Sequence, residues 1–492
     1  MRENRQARVL SIFALVVAAA VGQNVPVIGY HVNTNVGWST ITNTTSAAIT
    51  SAPIVVAESS SPWLKLWFGT VDLGTASRIR ITSVEDEAVQ ELDADALVKW
   101  SSTSAYFNGN AVIVELVVAP NDSASAFIAG FDAGLVGVVG ADSICGGVDN
   151  RAPSTERRVG RLLNASMNAL CSGGLVSTNS CYLTAGHCVS GGSVFTVEFN
   201  CPPSTGGGSI VHPGPQDQYP VNYSTLAYLN GGVGNDWCIA RLNNNTTTGL
   251  SASLVQGHYA LAASLPPVSS VTRITGFGSA TGVLNLANKT HTGPLVTSGG
   301  GSMGTSVQYQ VDTTGGNSGS SVVHEATQTV FGIHTHGGCT SSGGQNSGTA
   351  ITHSGPQAHY ALICTPNPPG YAISLTQAGP GAPIDLVVTG APASSELYNI
   401  ISLTPATPTN SGATAGLEIG TNELLSQINL PIGAEPFHVI ANPGGGYALQ
   451  VPGSGVPGMP INVDLVSLAF TQGAGFNGYL GRSTAVNASV QL

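Results

Sequence analysis

An all-β protein of three units is what this sequence predicts, a cysteine-bearing middle unit between two β-sandwiches. Three observations carry that expectation. At 492 residues the chain exceeds what one hydrophobic core serves, and roughly 150 residues per domain gives about three. Charged residues are only 8% of the total, Gly, Ser, Thr, Asn, Ala and Val dominate, and the only lysines are Lys65, Lys99 and Lys289, a composition that favours strands and turns over helices. All eight cysteines lie between Cys145 and Cys364, which sets the middle apart.

The chain opens with Arg2, Arg5 and Arg8, an apolar run over residues 9–21, and small residues up to Gly22. That order is a signal peptide, expected over residues 1–22; its apolar part falls short of the ~20 residues of a membrane-spanning helix. No later stretch is apolar enough to span a bilayer. A cleaved signal places the protein outside the cell, in the periplasm or at the cell surface, where disulfides form.

Residues 25–140 read as the first sandwich, a pro- or accessory domain. In residues 63–69, Leu64, Leu66 and Phe68 alternate with Lys65 and Trp67, and Ile79 and Ile81 alternate with arginines, a period of two that marks strands. Asn108-Gly109 between two apolar runs predicts a hairpin into a long strand at residues 111–118. Residues 85–99 are expected to add one helix. Residues 141–366 hold every cysteine and every chemical motif. Beyond the joint at Pro366, Pro368, Pro369 and Gly370, short apolar runs punctuated by Pro-Gly turns, with strands at 384–388 and 461–470, predict the second sandwich over 371–492.

The chemistry is carried by three stretches. Thr313-Thr314-Gly315-Gly316-Asn317-Ser318-Gly319-Ser320 sets a serine among residues with little side chain, where the backbone can turn sharply and amides can approach a substrate closely. A serine hydroxyl needs an imidazole to take its proton and a carboxylate to orient that imidazole. His187, in Thr184-Ala185-Gly186-His187-Cys188, and Asp236, heading the alternating run 237–242, are the candidates. The amides of Gly316 and Ser318 are the expected oxyanion hole.

These motifs resemble the chymotrypsin-like (trypsin-like) serine peptidases, and residues 307–320 with Gly332-Ile333-His334 resemble the V8-type bacterial glutamyl endopeptidases. The resemblance is confined to the middle unit. It implies a chymotrypsin-like double β-barrel with His187, Asp236 and Ser318 in the cleft. It also implies hydrolysis through an acyl-enzyme, and a Thr313 hydroxyl and His334 imidazole that bind the carboxylate of a Glu, or less readily an Asp, before the scissile bond. A cationic His334 beside a neutral base His187 would make activity bell-shaped in pH around the ~6.5 of free imidazole. A disulfide Cys171–Cys188 closing the histidine loop is implied as well. Nothing resembles the Ile-Val-Gly-Gly start of trypsin-like zymogens.

The other cysteines leave several pairings open. Cys181 with Cys238 is one, and Cys145, Cys201 and Cys364 are candidates for Cys339. No cofactor and no metal are expected: there is no Cys-x-x-Cys pair, and His334-Thr335-His336 lacks a carboxylate cluster to complete a site. A formal net charge of −11 without a basic run excludes a phosphate-backbone partner, so the expected partners are protein or peptide substrates. Attachment to a surface or polymer is a role open to the flanks. A retired scaffold that only binds is the rival class.

Overall fold

The computed structural model describes residues 25–137, 142–301, 303–364, 370–406, 417–456, 458–473 and 479–491. The expected signal segment lies outside them.

The first unit is two facing sheets. One has the order Gly29–Asn43, Asp122–Gly134, Trp63–Asp72, Thr103–Asn108; the other runs Ile49–Thr50, Ala111–Val118, Arg78–Ser83, Val89–Leu92, with Ile54–Ala57 also on Ala111–Val118. Ile79, Ile81, Val112, Val114 and Leu116 point into the shared core with Leu64, Leu66 and Ile128. Two expectations fail here. Asn108-Gly109 makes no hairpin, because Thr103–Asn108 pairs with Trp63–Asp72 while Ala111–Val118 pairs with Arg78–Ser83 in the opposite sheet. The dipeptide carries the chain between layers, with the Gly109 amide on Pro62 O at 2.9 Å and the Asn108 side chain donating to Asp86 and to His212 O, each at 2.9 Å. Residues 85–99 are helical only over Ala94–Lys99, capped by the Asp93 side chain on the Ala96 amide. Upstream, Gln90 and Leu92 alternate inward as a strand beside Arg78–Ser83.

The middle unit is two closed six-stranded barrels, as in the chymotrypsin fold. Val159–Asn164, Ala169–Leu175, Cys181–Thr184, Asp236–Leu242, Gln218–Asn230 and Phe195–Glu198 form the first ring. The second runs Lys289–Gly300, Val271–Gly276, Ser321–His324, Thr329–His336, Asn346–Ala350 and Ser306–Tyr309, the last closing on the first. Its core is Ile274, Leu295, Val307, Tyr309, Val311, Val322, Phe331 and Ala350. A helix, Ser354–Cys364, returns from the second barrel to the first, where Cys364 bonds to Cys181.

Disulfides join Cys145–Cys339, Cys171–Cys188 and Cys181–Cys364; Cys201 and Cys238 are free thiols. Cys181 and Cys238 do lie on neighbouring strands, but Cys181 faces Arg241 and Cys238 faces Thr184. An offset of three residues is ~10 Å at the rise of a strand, beyond the reach of a disulfide.

The first sandwich packs on the first barrel. Ile28, Trp63 and Tyr106 share a core with Leu162, Phe199 and Tyr219, and Gln218 exchanges two 2.8 Å hydrogen bonds with the Tyr106 backbone. Lys65, which alternation sets opposite Leu64 and Leu66, is wholly buried there, its ammonium 4.6 Å from the Tyr106 ring centre and donating to Ser104 O. Both faces of that strand are covered. Beneath Tyr106 lies a buried ionic cluster: Arg161 donates to Glu198 at 2.7 and 2.9 Å, and the other Glu198 oxygen meets His212 Nδ1 at 2.6 Å.

After residue 370, Ala372–Gln377, Ile384–Thr389 and Tyr447–Val451 form one sheet; His438–Ile440, Glu396–Ser402, Pro460–Phe470 and Tyr479–Arg482 form another, with Val486–Gln491 also on Pro460–Phe470. The strands expected at 384–388 and 461–470 thus lie in opposite sheets.

Candidate active site

Strand ends and one turn deliver the histidine and the aspartate. Cys181–Thr184 ends at the barrel rim, a 3₁₀ turn over Gly186–Cys188 lifts His187 out of the ladder, and the Cys171–Cys188 bond ties that turn to the strand Ala169–Leu175. Asp236 opens its strand and is buried. One carboxylate oxygen accepts the His187 backbone N–H at 3.0 Å and the other meets His187 Nδ1 at 2.6 Å. A carboxylate there accepts only, so Nδ1 carries the proton and Nε2 presents its lone pair. The second barrel clamps this aspartate through Thr349, whose hydroxyl accepts the Asp236 N–H at 3.0 Å and donates to Asp236 O at 2.7 Å.

The nucleophile loop stands against the same turn. Ser318 O accepts the Ser172 N–H at 2.8 Å, and the Ser172 hydroxyl donates to Gly316 O at 2.7 Å. Gly316 and Gly319 hold φ of 101° and 87°, the region side chains avoid. A Cβ at Gly319 would lie 2.0 Å from Thr184 Oγ1, so the loop could not come this close with any other residue. Ser318 Oγ and His187 Nε2 are both buried and, among the described residues, neither has a hydrogen-bond partner. The amides of Gly316 and Ser318 likewise donate to nothing among the described residues. A donor, an acceptor and two amides without partners thus gather in one loop and its facing turn.

Thr313 and His334 lie beneath this loop. Gly319 N–H donates to His334 O at 2.7 Å and His334 N–H to Ser320 O at 2.9 Å. Thr313 Oγ1 accepts from Asn346 Nδ2 at 3.0 Å, and the Tyr309 hydroxyl lies 2.8 Å from His334 Nδ1. Burial, reinforced by His336 and His187, pulls the His334 imidazole down to about 3. That direction runs against a cationic His334, and the Tyr309 hydroxyl at Nδ1 orients the ring. A base depressed on folding favours the native state fully above the ~6.5 of the unfolded imidazole, and that contribution is lost as pH falls towards about 3. His334→Gln is expected to lessen the acid loss of stability between about pH 7 and 4, read by urea unfolding.

His336 sits beside His187, ring centres 6.4 Å apart, and burial lowers its pKa against the pull of Asp236. His334 Nδ1 lies 2.8 Å from the Tyr309 hydroxyl, and His336 Nδ1 lies 2.8 Å from Thr335 Oγ1. His187 has metal-ligand spacing to Cys171 and Cys188, but both sulfurs are spent in their disulfide.

Thr349, Ser172, Tyr309 and Asn346 escaped the sequence reading. They are ordinary strand residues, and only barrel closure gives them their partners.

Set against known proteins, residues 144–354 match the family model of trypsin. Among solved structures, a Glu endopeptidase in complex with MPD is similar at 17% identity and a TM-score of 0.33, over 44% of this chain and 96% of that one. The thermostable serine protease AL20 from an extremophilic microorganism is 19% identical with a TM-score of 0.35, over 44% of this chain and all of its own. The protease Anisep from Arthrobacter nicotinovorans is 17% identical with a TM-score of 0.35, over 44% and 98%. No curated protein sequence matches the chain.

Proposed function

From the trypsin-like domain within residues 144–354, we propose that this chain is an exported serine endopeptidase. Ser318 Oγ attacks the substrate carbonyl, His187 Nε2 takes its proton and later protonates the leaving amine, and Asp236 orients the ring and stabilises the imidazolium. The Gly316 and Ser318 amides receive the oxyanion. An acyl-enzyme forms on Ser318, and water releases it. The observation that carries this reading is the pair of unpartnered buried atoms, Ser318 Oγ and His187 Nε2, with the opposite ring nitrogen already bound to Asp236. That no hydrogen bond joins them is no obstacle, because catalytic contacts are often loose before substrate binds.

The substrate residue before the scissile bond is Glu, and secondarily Asp. The resemblance of Thr313 and of Gly332-Ile333-His334 to the glutamyl endopeptidases supports this reading, and Thr313 stands where an Asp would favour Lys or Arg. The peptidase unit spans 141–366 behind a signal at 1–22; the sandwiches at 25–140 and 371–492 accompany it, and attachment to a surface or polymer is a role open to both.

A fluorophosphonate probe on the full chain tests the activity. Labelling is expected in the wild type and none in Ser318→Ala; an unlabelled wild type would favour a scaffold that only binds. Mass spectrometry of peptides released from an unfolded protein tests the specificity, with cuts after Glu in clear excess. Cuts spread over all residues, or gathered after Lys and Arg, would sink the acidic preference.

A further inference from the structure

The nucleophile loop has three glycines among residues 315–319 and no disulfide to hold it. A glycine peptide bears the largest backbone entropy, and the Gly316 and Ser318 amides are not fixed by partners of their own. The carbonyls of the same two peptides are held, Gly315 O by the Ser279 N–H at 2.8 Å and Asn317 O by the Ser320 N–H at 2.9 Å, and side chains at the flanks add to that hold. Both flanks are gripped by one cation. Arg151 Nη1 donates to Thr314 Oγ1 at 2.6 Å and to Asn317 Oδ1 at 3.3 Å, while Nη2 donates to Ser279 O at 2.9 Å. Thr314 and Asn317 bracket the Gly315-Gly316 pair, and the Thr314 amide donates back to Asn317 Oδ1 at 3.1 Å, closing the loop on itself.

The cradle is built for this guanidinium. Arg151 is 3% exposed, and Asp149 holds it through Nε at 2.9 Å and Nη2 at 2.7 Å. A Cβ at Gly278 would fall 2.0 Å from Asn317 Oδ1 and 2.5 Å from both Arg151 Nη1 and Thr314 Oγ1, so that position is left open for the cluster. Lys289 in turn fixes the Gly278 carbonyl at 2.6 Å. A planar fork serves several acceptors at fixed angles, which a lysine cannot imitate.

We propose that Arg151 is the positioning residue of the oxyanion hole: by holding Thr314 and Asn317 it fixes the Gly315-Gly316 peptide so that the Gly316 and Ser318 amides converge. The inference rests on the peptidase reading above.

The test compares full-length wild type, Arg151→Met, Arg151→Lys and Arg151→Ala on a quenched fluorescent peptide. Affinity for a peptide aldehyde, whose adduct uses the hole, is set against affinity for the product peptide, which does not. Arg151→Met is expected to lose about 10²-fold in kcat, the scale of one missing oxyanion donor, with KM within about threefold. Aldehyde affinity should fall by a similar factor and product affinity hold. Added guanidinium should restore Arg151→Ala at least tenfold, and Arg151→Lys, which keeps charge and volume if the Met variant does not fold, should fall between. An Arg151→Met or Arg151→Lys enzyme with wild-type kcat would overturn the inference. So would a loss that tracks the unfolded fraction in melting curves and is not rescued. A wild type that neither cleaves nor takes the fluorophosphonate label overturns the peptidase reading instead.

Discussion

Asp236→Asn is expected to lower kcat by about 10⁴ while leaving KM and the melting temperature nearly unchanged, the scale such a tautomer error costs in a serine-histidine-aspartate site. The geometry gives the reason. Asp236 accepts from two donors at once, the His187 backbone N–H and His187 Nδ1, and a carboxylate has oxygen to offer both. An asparagine has a single oxygen. If the backbone amide keeps it, the NH₂ faces Nδ1, the ring proton moves to Nε2, and the nitrogen turned to Ser318 becomes a donor that cannot accept the serine proton. Thr349 still holds the Asp236 backbone from the second barrel, so the fold should tolerate the change. Steady-state kinetics with a melting curve would decide it; a loss smaller than tenfold would remove Asp236 from the mechanism.

The second large effect is on stability and lies away from the cleft. Glu198→Ala is expected to cost about 3–5 kcal/mol, the usual penalty for breaking a buried ion pair from one side. Arg161, Glu198 and His212 are wholly buried, and the variant strands a guanidinium under Tyr106, whose ring stacks on His212 at 4.7 Å. Burial alone would push the Glu198 carboxyl up, but His212 and Arg161 outweigh it and hold it below its ordinary value. A carboxyl depressed in the folded state stabilises above its unfolded value of 4.5 and loses that contribution as pH falls further. Urea unfolding near neutral pH should show the loss, and the acid sensitivity of the variant should shrink. A change below about 1 kcal/mol, the range of a surface pair, would mean the cluster is not sealed as described.

That cluster also bears on the first sandwich. It rests on the first barrel through Tyr106, Gln218 and Trp63, and Trp100 Nε1 reaches Thr246 Oγ1 at 2.9 Å. These contacts lie on the barrel flank.

Much of the site was legible before any coordinates, because its chemistry is local in the chain. The glycines around Ser318 announce a tight turn, and His187 and Asp236 each stand at the end of a readable strand. Alternation likewise located the strand at 63–69, and apolar runs between turns those at 111–118 and 461–470. Register was not legible. Cys181 and Cys238 occupy adjacent strands, yet a three-residue offset parts them, and Cys145 finds Cys339 across 194 residues. Asn108-Gly109 has the composition of a hairpin, but the sheets' need to face their apolar sides together sends the chain across the sandwich.

Composition and local pattern alone therefore determined the all-β character and the residues suited to nucleophilic chemistry, since each depends on neighbours within a few positions. The tertiary structure decided the rest: the enclosure of His334, the burial of Lys65, and the grip of Arg151 on Thr314 and Asn317. Each of these depends on what closes over a side chain from another strand or barrel. Desolvation and hydrogen-bond partnership are properties of that enclosure, and a linear pattern carries no record of it.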